Sequence, residues 1–172
     1  MLTLFGHADG MTGWTTGDPA PYVMLAHLVQ GVVTPVPLRE LLSQKRVIAV
    51  GVPGAFTPVC TEDHIPDFVQ NANRLRASGF DRVMCIAPND PWTLEAWACK
   101  VDPNGAIEFY SDGNLALARA LGATITDQAN FLGETSGRYL MITRNGMIER
   151  LTLEAAHMCI TCTRSASVTV EA

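Results

Sequence analysis

The sequence predicts an α/β domain built on a central mixed β-sheet flanked by helices. Three observations carry that prediction. Two nearly continuous apolar runs, 46–52 and 82–87, have strand length and no polar face, as strands covered on both sides require. Each is followed by a segment whose apolar residues recur at helical spacing. The chain then closes with two apolar runs joined by Asn145-Gly146, a pair that favours a tight hairpin turn. Strand–helix–strand–helix followed by a hairpin describes such a sheet.

In order along the chain, residues 1–16 form an irregular lead-in, and the domain is expected over 17–172. The lead-in runs on into the Pro- and Gly-rich stretch ending at Pro21. Short strands are expected near 22–26 and 32–36. Residues 36–42 suit a turn or two of helix with Leu38, Leu41 and Leu42 on one side. After the strand at 46–52, Pro53-Gly54 breaks the run. Ile65, Phe68, Val69, Ala72 and Leu75 then mark one helix face, with Pro66 kinking the helix or delaying its start and Gly79 ending it. The strand at 82–87 stops at Pro88-Asn-Asp-Pro91, and a helix bearing Leu94, Trp97 and Ala98 follows. A short strand is expected over 107–110. Asn114 is placed as the cap of a helix over 115–121, which Gly122 terminates. Strands over 139–143 and 147–153 flank the hairpin turn. This order of elements resembles a thioredoxin-like fold.

Composition excludes several classes of function. The 172 residues carry 12 Lys and Arg against 17 Asp and Glu, a formal net charge of −5, which gives no footprint for nucleic acid or an anionic membrane. No apolar run approaches the roughly 18 residues of a membrane span. Only 17% of residues are charged while 48% are hydrophobic, so the apolar surplus belongs in a core or a protein interface. A chain of this length buries roughly 70% of its unfolded surface, enough for a core without staples. Five cysteines, Cys60, Cys85, Cys99, Cys159 and Cys162, cannot pair off within one chain. Residues 1–10 lack the basic and apolar regions of a signal peptide. The expected compartment is therefore reducing, and cytoplasmic, with thiols that are core, metal-bound or reactive.

Chemistry points to residues 51–60, between a buried strand and a helix start. Ligands gather at the carboxyl ends of strands in α/β sheets. A cysteine in a helix's first turn meets free N–H groups and the positive dipole end, which favour thiolate. Pro53 and Pro58 stiffen the loop, Gly54 permits close backbone approach, and Thr57 offers a hydroxyl three residues before Cys60. By spacing alone, a simply buried cysteine explains the segment equally well.

Pro53-x-x-x-Thr57-x-x-Cys60 resembles the peroxidatic signature of peroxiredoxins, and the string from Val52 to Pro66 is similar to their type II branch, which includes mammalian peroxiredoxin V and plant type II enzymes. Matches continue in order at Asn89-Asp-Pro-Trp92, Ala96-Trp97, Ser111-Asp-Gly-Asn114, Leu121-Gly122 and Arg138-Tyr139. The resemblance implies a thiol peroxidase acting on hydrogen peroxide and organic hydroperoxides without metal, haem or flavin. Cys60 would attack the peroxide and become a sulfenic acid. Arg138 would hold the thiolate and orient the peroxide oxygens. Thr57 would hydrogen-bond both, and Pro53 would shield the sulfur. The amides of Cys60 and Val59 would serve as donors. The family often carries a second arginine just before the catalytic one; here the stretch reads Glu134-Thr-Ser-Gly-Arg138.

The resemblance also implies that a second thiol resolves the sulfenic acid. Cys162 falls where the mammalian type V enzyme carries its resolving cysteine. Cys85 has the spacing of the second cysteine of plant type II enzymes but sits in an apolar run, so Cys162 is favoured. Thioredoxin, or glutaredoxin with glutathione, would supply electrons, and a homodimer contact would form near Phe56 and Trp92. Cys99 is read as a packing residue, and His64, one turn beyond Cys60, as structural rather than paired with the thiol. His7 and His27 carry no signal. Two alternatives are a redox-sensing partner protein with slow turnover and a zinc-binding module using His157, Cys159 and Cys162.

Overall fold

The computed structural model describes residues 13–154 and 160–168. Its main sheet contains seven strands: β1 (Met24–Val29), β2 (Val32–Pro37), β3 (Arg46–Gly51), β4 (Arg82–Ala87), β5 (Glu108–Ser111), β8 (Tyr139–Arg144) and β9 (Met147–Leu153). They lie in the order β2-β1-β5-β4-β3-β8-β9. Strands β3, β4 and β5 run parallel, whereas β8 joins β3 and β1 joins β5 antiparallel, so the sheet is mixed. The two central apolar runs are thus the two central strands. Burial on both faces explains why neither shows alternation.

Pleating splits each central strand between two cores. Ile48 and Val50 of β3 face the helices α2 (Ile65–Ala77) and α3 (Pro91–Val101), packing with Phe68, Leu75 and the fully buried Trp97. Val47 and Ala49 point the other way, toward α1 (Leu38–Leu42) and α4 (Ala116–Ala120), among Leu38, Leu41, Leu42 and Leu117. The period-2 geometry of the strand makes this division automatic.

Several expectations need adjustment. Strand β1 starts two residues later than expected and runs on to Val29, because Asn- and Gly-type turn chemistry is supplied by Gln30, at φ 51°, and Gly31. The cap of α4 is Asp112 rather than Asn114. The Asp112 carboxylate accepts from the backbone N–H groups of Leu117 and Ala118, at 3.1 and 2.9 Å, while Leu115 takes a left-handed conformation ahead of the helix. The hairpin of β6 (Thr124–Asp127) and β7 (Gly133–Ser136) has no counterpart among the expected elements. Its strands are short and polar and carry no periodicity of apolar residues. Cys99 is exposed on α3 and does not pack in the core.

One close approach is built into the centre of the sheet. Gly51 pairs with Tyr139 across β3 and β8, and the Tyr139 ring lies where a Gly51 side chain would be. Gly51→Ala is therefore expected to overpack the end of β3 and lower stability by about 2–3 kcal/mol. Urea denaturation checks this: the midpoint should fall with the slope unchanged, and an unaltered midpoint would show that Tyr139 can move aside.

Candidate active site

The loop leaving β3 is held from three sides before it reaches the helix. The Ala55 amide donates to Asn89 Oδ1 at 2.7 Å, the Thr135 hydroxyl donates to the Pro53 carbonyl at 2.7 Å, and the Thr57 hydroxyl donates to the Gly54 carbonyl at 2.8 Å. Phe56 sits at φ 61°, a left-handed conformation that an aromatic residue adopts only under tertiary constraint. The Thr61 amide then closes onto the Thr57 carbonyl at 3.0 Å. The amides of Val59 and Cys60 precede that first intrahelical bond and are available as donors.

Residues Cys60–His64 form a π-helical turn, with the Ile65 amide bonded back to the Cys60 carbonyl. Pro66, in the first turn of α2, has no N–H to continue an ordinary ladder, so the wider turn absorbs the mismatch. This is the late start that Pro66 predicts. The turn is pinned from α3 by the Trp97 indole, which donates to the Thr61 hydroxyl at 3.0 Å.

Cys60 is fully buried and free. Arg138, at the mouth of β8 and also buried, brings Nη1 to 3.3 Å from the Cys60 sulfur. The same Nη1 lies 3.0 Å from His64 Nδ1. An arginine cannot accept, so His64 Nδ1 is the acceptor and the ring proton sits on Nε2. Nε2 in turn lies 2.9 Å from the Thr163 carbonyl, which accepts it. Burial, with the neighbouring Arg138 charge, depresses His64 to about 4, although its hydrogen bond to Thr163 and the charges of Asp67 and Glu154 oppose the shift. The ring is therefore neutral near pH 7.

A cavity of about 260 Å³ opens beside this group, lined by Pro53, Thr57, Pro58, Val59, Leu132 and Arg138 together with Asp127 and Asn130. Sequence reading places Pro53, Thr57, Cys60 and Arg138 in one site, and the structure brings Pro53, Thr57 and Arg138 together at the cavity wall, with Cys60 buried and in contact with Arg138. The far wall comes from the β6–β7 hairpin, which no sequence pattern announced.

Of the candidate resolving thiols, Cys85 is fully buried in β4, and burial pushes its thiol well up. Cys162 is partly exposed and free. Its amide, with those of Thr161 and Thr163, donates to Glu154 Oε1 at 2.8–2.9 Å. Burial opposes ionisation of Glu154, but these bonds and the two threonine hydroxyls outweigh it and hold the carboxylate at about 2. The same segment is clamped to the helix start by a bidentate Arg164–Asp63 pair, at 2.9 and 2.7 Å, and by Ser165 on Asp67. His157 and Cys159 lie outside the described residues. Among the described residues, no group of three or more His, Cys, Asp or Glu side chains could hold a metal ion, and no helix is long and apolar enough to cross a membrane.

The sequence reading set His64 aside as structural; its contact with Arg138 makes it part of the site. The only signal available was its position four residues after Cys60. Glu154 and Thr163, which anchor it, gave none.

The redoxin family model matches residues 15–165. Peroxiredoxin-2C of Oryza sativa is 32% identical over 137 residues, covering 80% of this chain and 77% of the relative. The chain belongs to the peroxiredoxin family. Another relative of this peroxiredoxin, the mitochondrial peroxiredoxin-2F of rice, is 36% identical over 120 residues, 70% of this chain, and the match spans 61% of its own length. The crystal structure of reduced Prx3 from Vibrio vulnificus in complex with hydrogen peroxide superposes with a TM-score of 0.83 at 31% identity, covering 91% of this chain and 94% of that one. The peroxiredoxin thus shares the thioredoxin-like α/β fold of its relatives.

The His64 geometry sets a pH dependence of stability. The folded ring stays neutral down to about 4, whereas in the unfolded chain it takes up a proton near 6.5. The unfolded state therefore binds more protons in that window, and stability falls as pH drops from about 6.5 to about 4. The expected loss between pH 7 and 4 is roughly 3 kcal/mol greater than in His64→Gln, read from urea midpoints at the two pH values. Parallel losses in the two proteins would refute it.

Proposed function

We propose that this peroxiredoxin is a thiol-dependent peroxidase whose nucleophile is Cys60. The observation that carries the reading is the Arg138 guanidinium, which lines a small cavity and lies 3.3 Å from the buried Cys60 sulfur. A fixed cation beside sulfur favours the thiolate, the form that attacks. The thiolate sulfur bonds to the near oxygen of the peroxide, the O–O bond breaks, and the departing hydroxide or alkoxide takes up a proton. Cys60 is left as a sulfenic acid. Charge developing on the departing oxygen meets Arg138, the Thr57 hydroxyl and the amides of Val59 and Cys60. Pro53 closes the loop over the sulfur. Pro53, Pro58, Val59 and Leu132 offer an apolar wall to the organic part of a hydroperoxide.

Resolution falls to Cys162. Its thiol attacks the sulfenic sulfur, water leaves, and a Cys60–Cys162 disulfide forms. That step requires the Glu154-held segment and the turn at Cys60 to loosen, because Cys60 is fully buried and the Cys162 amide is held by Glu154. Burial argues against Cys85 in this role. Thioredoxin, or glutaredoxin with glutathione, then returns two electrons, and in this reading the cycle draws on thiols rather than on metal, haem or flavin. The chain acts in the cytoplasm as one domain from Gly17 onward. It forms a homodimer through a face that includes Phe56, on the loop after β3, and Trp92, in the first turn of α3, which are 49% and 60% exposed.

Peroxide consumption with thioredoxin as reductant is expected to vanish in Cys60→Ser. In Arg138→Lys the rate should fall at least about tenfold, since a single ammonium lacks the guanidinium's paired donors. Mass spectrometry of peroxide-treated protein should show the Cys60–Cys162 disulfide. Retention of activity in Cys60→Ser would dismiss the central assignment, and Cys60 sulfenic acid beside free Cys162 would reassign resolution to an external thiol.

A further inference from the structure

We infer that Leu132 sets the size of the hydroperoxide this site admits: its side chain closes the wall between the cavity beside Arg138 and a second chamber, and so confines the organic part of the peroxide to the first. The inference deepens the reading of Cys60 as a peroxidatic thiol and rests on it.

Two cavities adjoin at the reactive loop. The first, of about 260 Å³, is the one that Arg138 lines. The second, of about 220 Å³, has Gly54, Ala55, Pro88, Asn89, Leu115 and Thr135 in its wall. Pro53, Thr57 and Leu132 line both. Residues common to two linings form the partition between them. Pro53 and Thr57 belong to the loop that carries the reactive thiol, so their side of the partition is tied to the chemistry. Leu132 comes from the turn between β6 and β7, and its side is tied to size alone. Beyond the partition, Ala55, Pro88 and Leu115 offer apolar surface of the kind an alkyl or aryl group occupies.

The turn is built to deliver that side chain. Phe131 sits at φ 55° and Gly133 at φ 64°, so Leu132 stands between two left-handed residues. An aromatic residue adopts that conformation only where the surroundings impose it. Asp127 imposes it here. Its carbonyl accepts from the Leu132 amide at 3.0 Å, and its carboxylate takes the Asn130 amide and side-chain N–H at 3.0 and 2.9 Å. The Phe131 amide donates to the Gln128 carbonyl at 3.2 Å. The outcome inverts the order that hydrophobic size alone would give: Phe131 is 96% exposed, while the smaller Leu132 is half-buried at both cavity walls. Thr135, buried in β7, donates to the Pro53 carbonyl at 2.7 Å and ties the hairpin to the reactive loop. The gap that Leu132 fills is thus fixed from both sides, and the residue filling it decides how far a substrate reaches.

The test compares single-turnover oxidation of Cys60 in the full chain by hydrogen peroxide and by cumene hydroperoxide, a bulky aryl peroxide. The sulfenic acid is trapped and followed by peptide mass, so no reductant enters. The quantity read is the ratio of the two second-order rates, cumene hydroperoxide over hydrogen peroxide, in which a general change of the thiol cancels. In Leu132→Ala the partition opens, and the ratio is expected to rise about tenfold, the scale on which an apolar pocket separates substrates by size. In Leu132→Phe the ratio should fall by about threefold or more. Thr135→Val keeps the shape of that side chain but removes the tie to Pro53, and it should raise the ratio by less than Leu132→Ala does. A ratio unchanged in both Leu132 variants would overturn the inference. A rise in both would overturn it too, because a loosened hairpin rather than side-chain size would then be the cause. If Cys60 of the unaltered protein reacts with neither peroxide, the reading of its role fails and takes this inference with it; a reactive Cys60 with an unmoved ratio removes the role of Leu132 alone.

Discussion

A buried guanidinium must be matched on every side, and in this protein one amino group of Arg138 is divided between a sulfur and an imidazole. A charge removed from water is tolerated only where its hydrogen bonds are replaced by fixed partners. The partners come from two distant parts of the chain: Cys60 and His64 from the two ends of one π-helical turn, and Arg138 from the residue before β8. Because the three meet away from solvent, an error in any one element costs the buried charge one of its partners. The rest of the molecule can be read as the scaffolding that keeps this meeting point in register.

That scaffolding works through the two central strands. Strand β3 pairs with β8 so that Gly51 faces Tyr139, the residue after Arg138. The end of β3 and the beginning of β8 therefore lie side by side. The loop carrying Cys60 and the arginine beside it start from adjacent points at one end of the sheet. The absence of a side chain at Gly51 admits the Tyr139 ring, and with it the close approach of the two strands. On the neighbouring side, Asn89 after β4 and Thr135 in β7 hold the Pro53 loop by single hydrogen bonds. Rigid strands supply position and the short loop between them supplies chemistry, a division common to sites built on sheets.

The C-terminal segment adds a second layer of control. Glu154 gathers three consecutive amides and two hydroxyls, a nest-like arrangement that makes the segment a compact unit rather than a tail. Arg164 and Ser165 tie it to Asp63 and Asp67 at the start of α2. The Arg164–Asp63 pair is exposed and worth little by itself. Its value lies in geometry, since it keeps Thr163 over the His64 ring. The segment that carries Cys162 is thus also the one whose Thr163 carbonyl meets His64.

Much of this was legible before any coordinates. The paired apolar runs of β3 and β4, the Asn145-Gly146 hairpin and the late start of α2 at Pro66 follow from local rules of periodicity and backbone chemistry, and Cys60, Thr57 and Pro53 follow from a short contiguous pattern. The β6–β7 hairpin was not legible, because four-residue polar strands carry no periodicity. Asp112 was passed over as a cap because its carboxylate reaches forward five and six residues, beyond the usual capping distance. Cys99 was taken for core although its side of α3 faces solvent. His64 was set aside because its partners are 74 and 99 residues away, and no local pattern reports which distant residue will face a ring. The sequence by itself determined the central strands and the stiff loop that carries Cys60 into the following helix, since these depend on neighbours along the chain. Only the tertiary structure decided that Arg138 also meets His64, which tautomer His64 holds and what anchors it, since these depend on contacts that exist only after the sheet has closed.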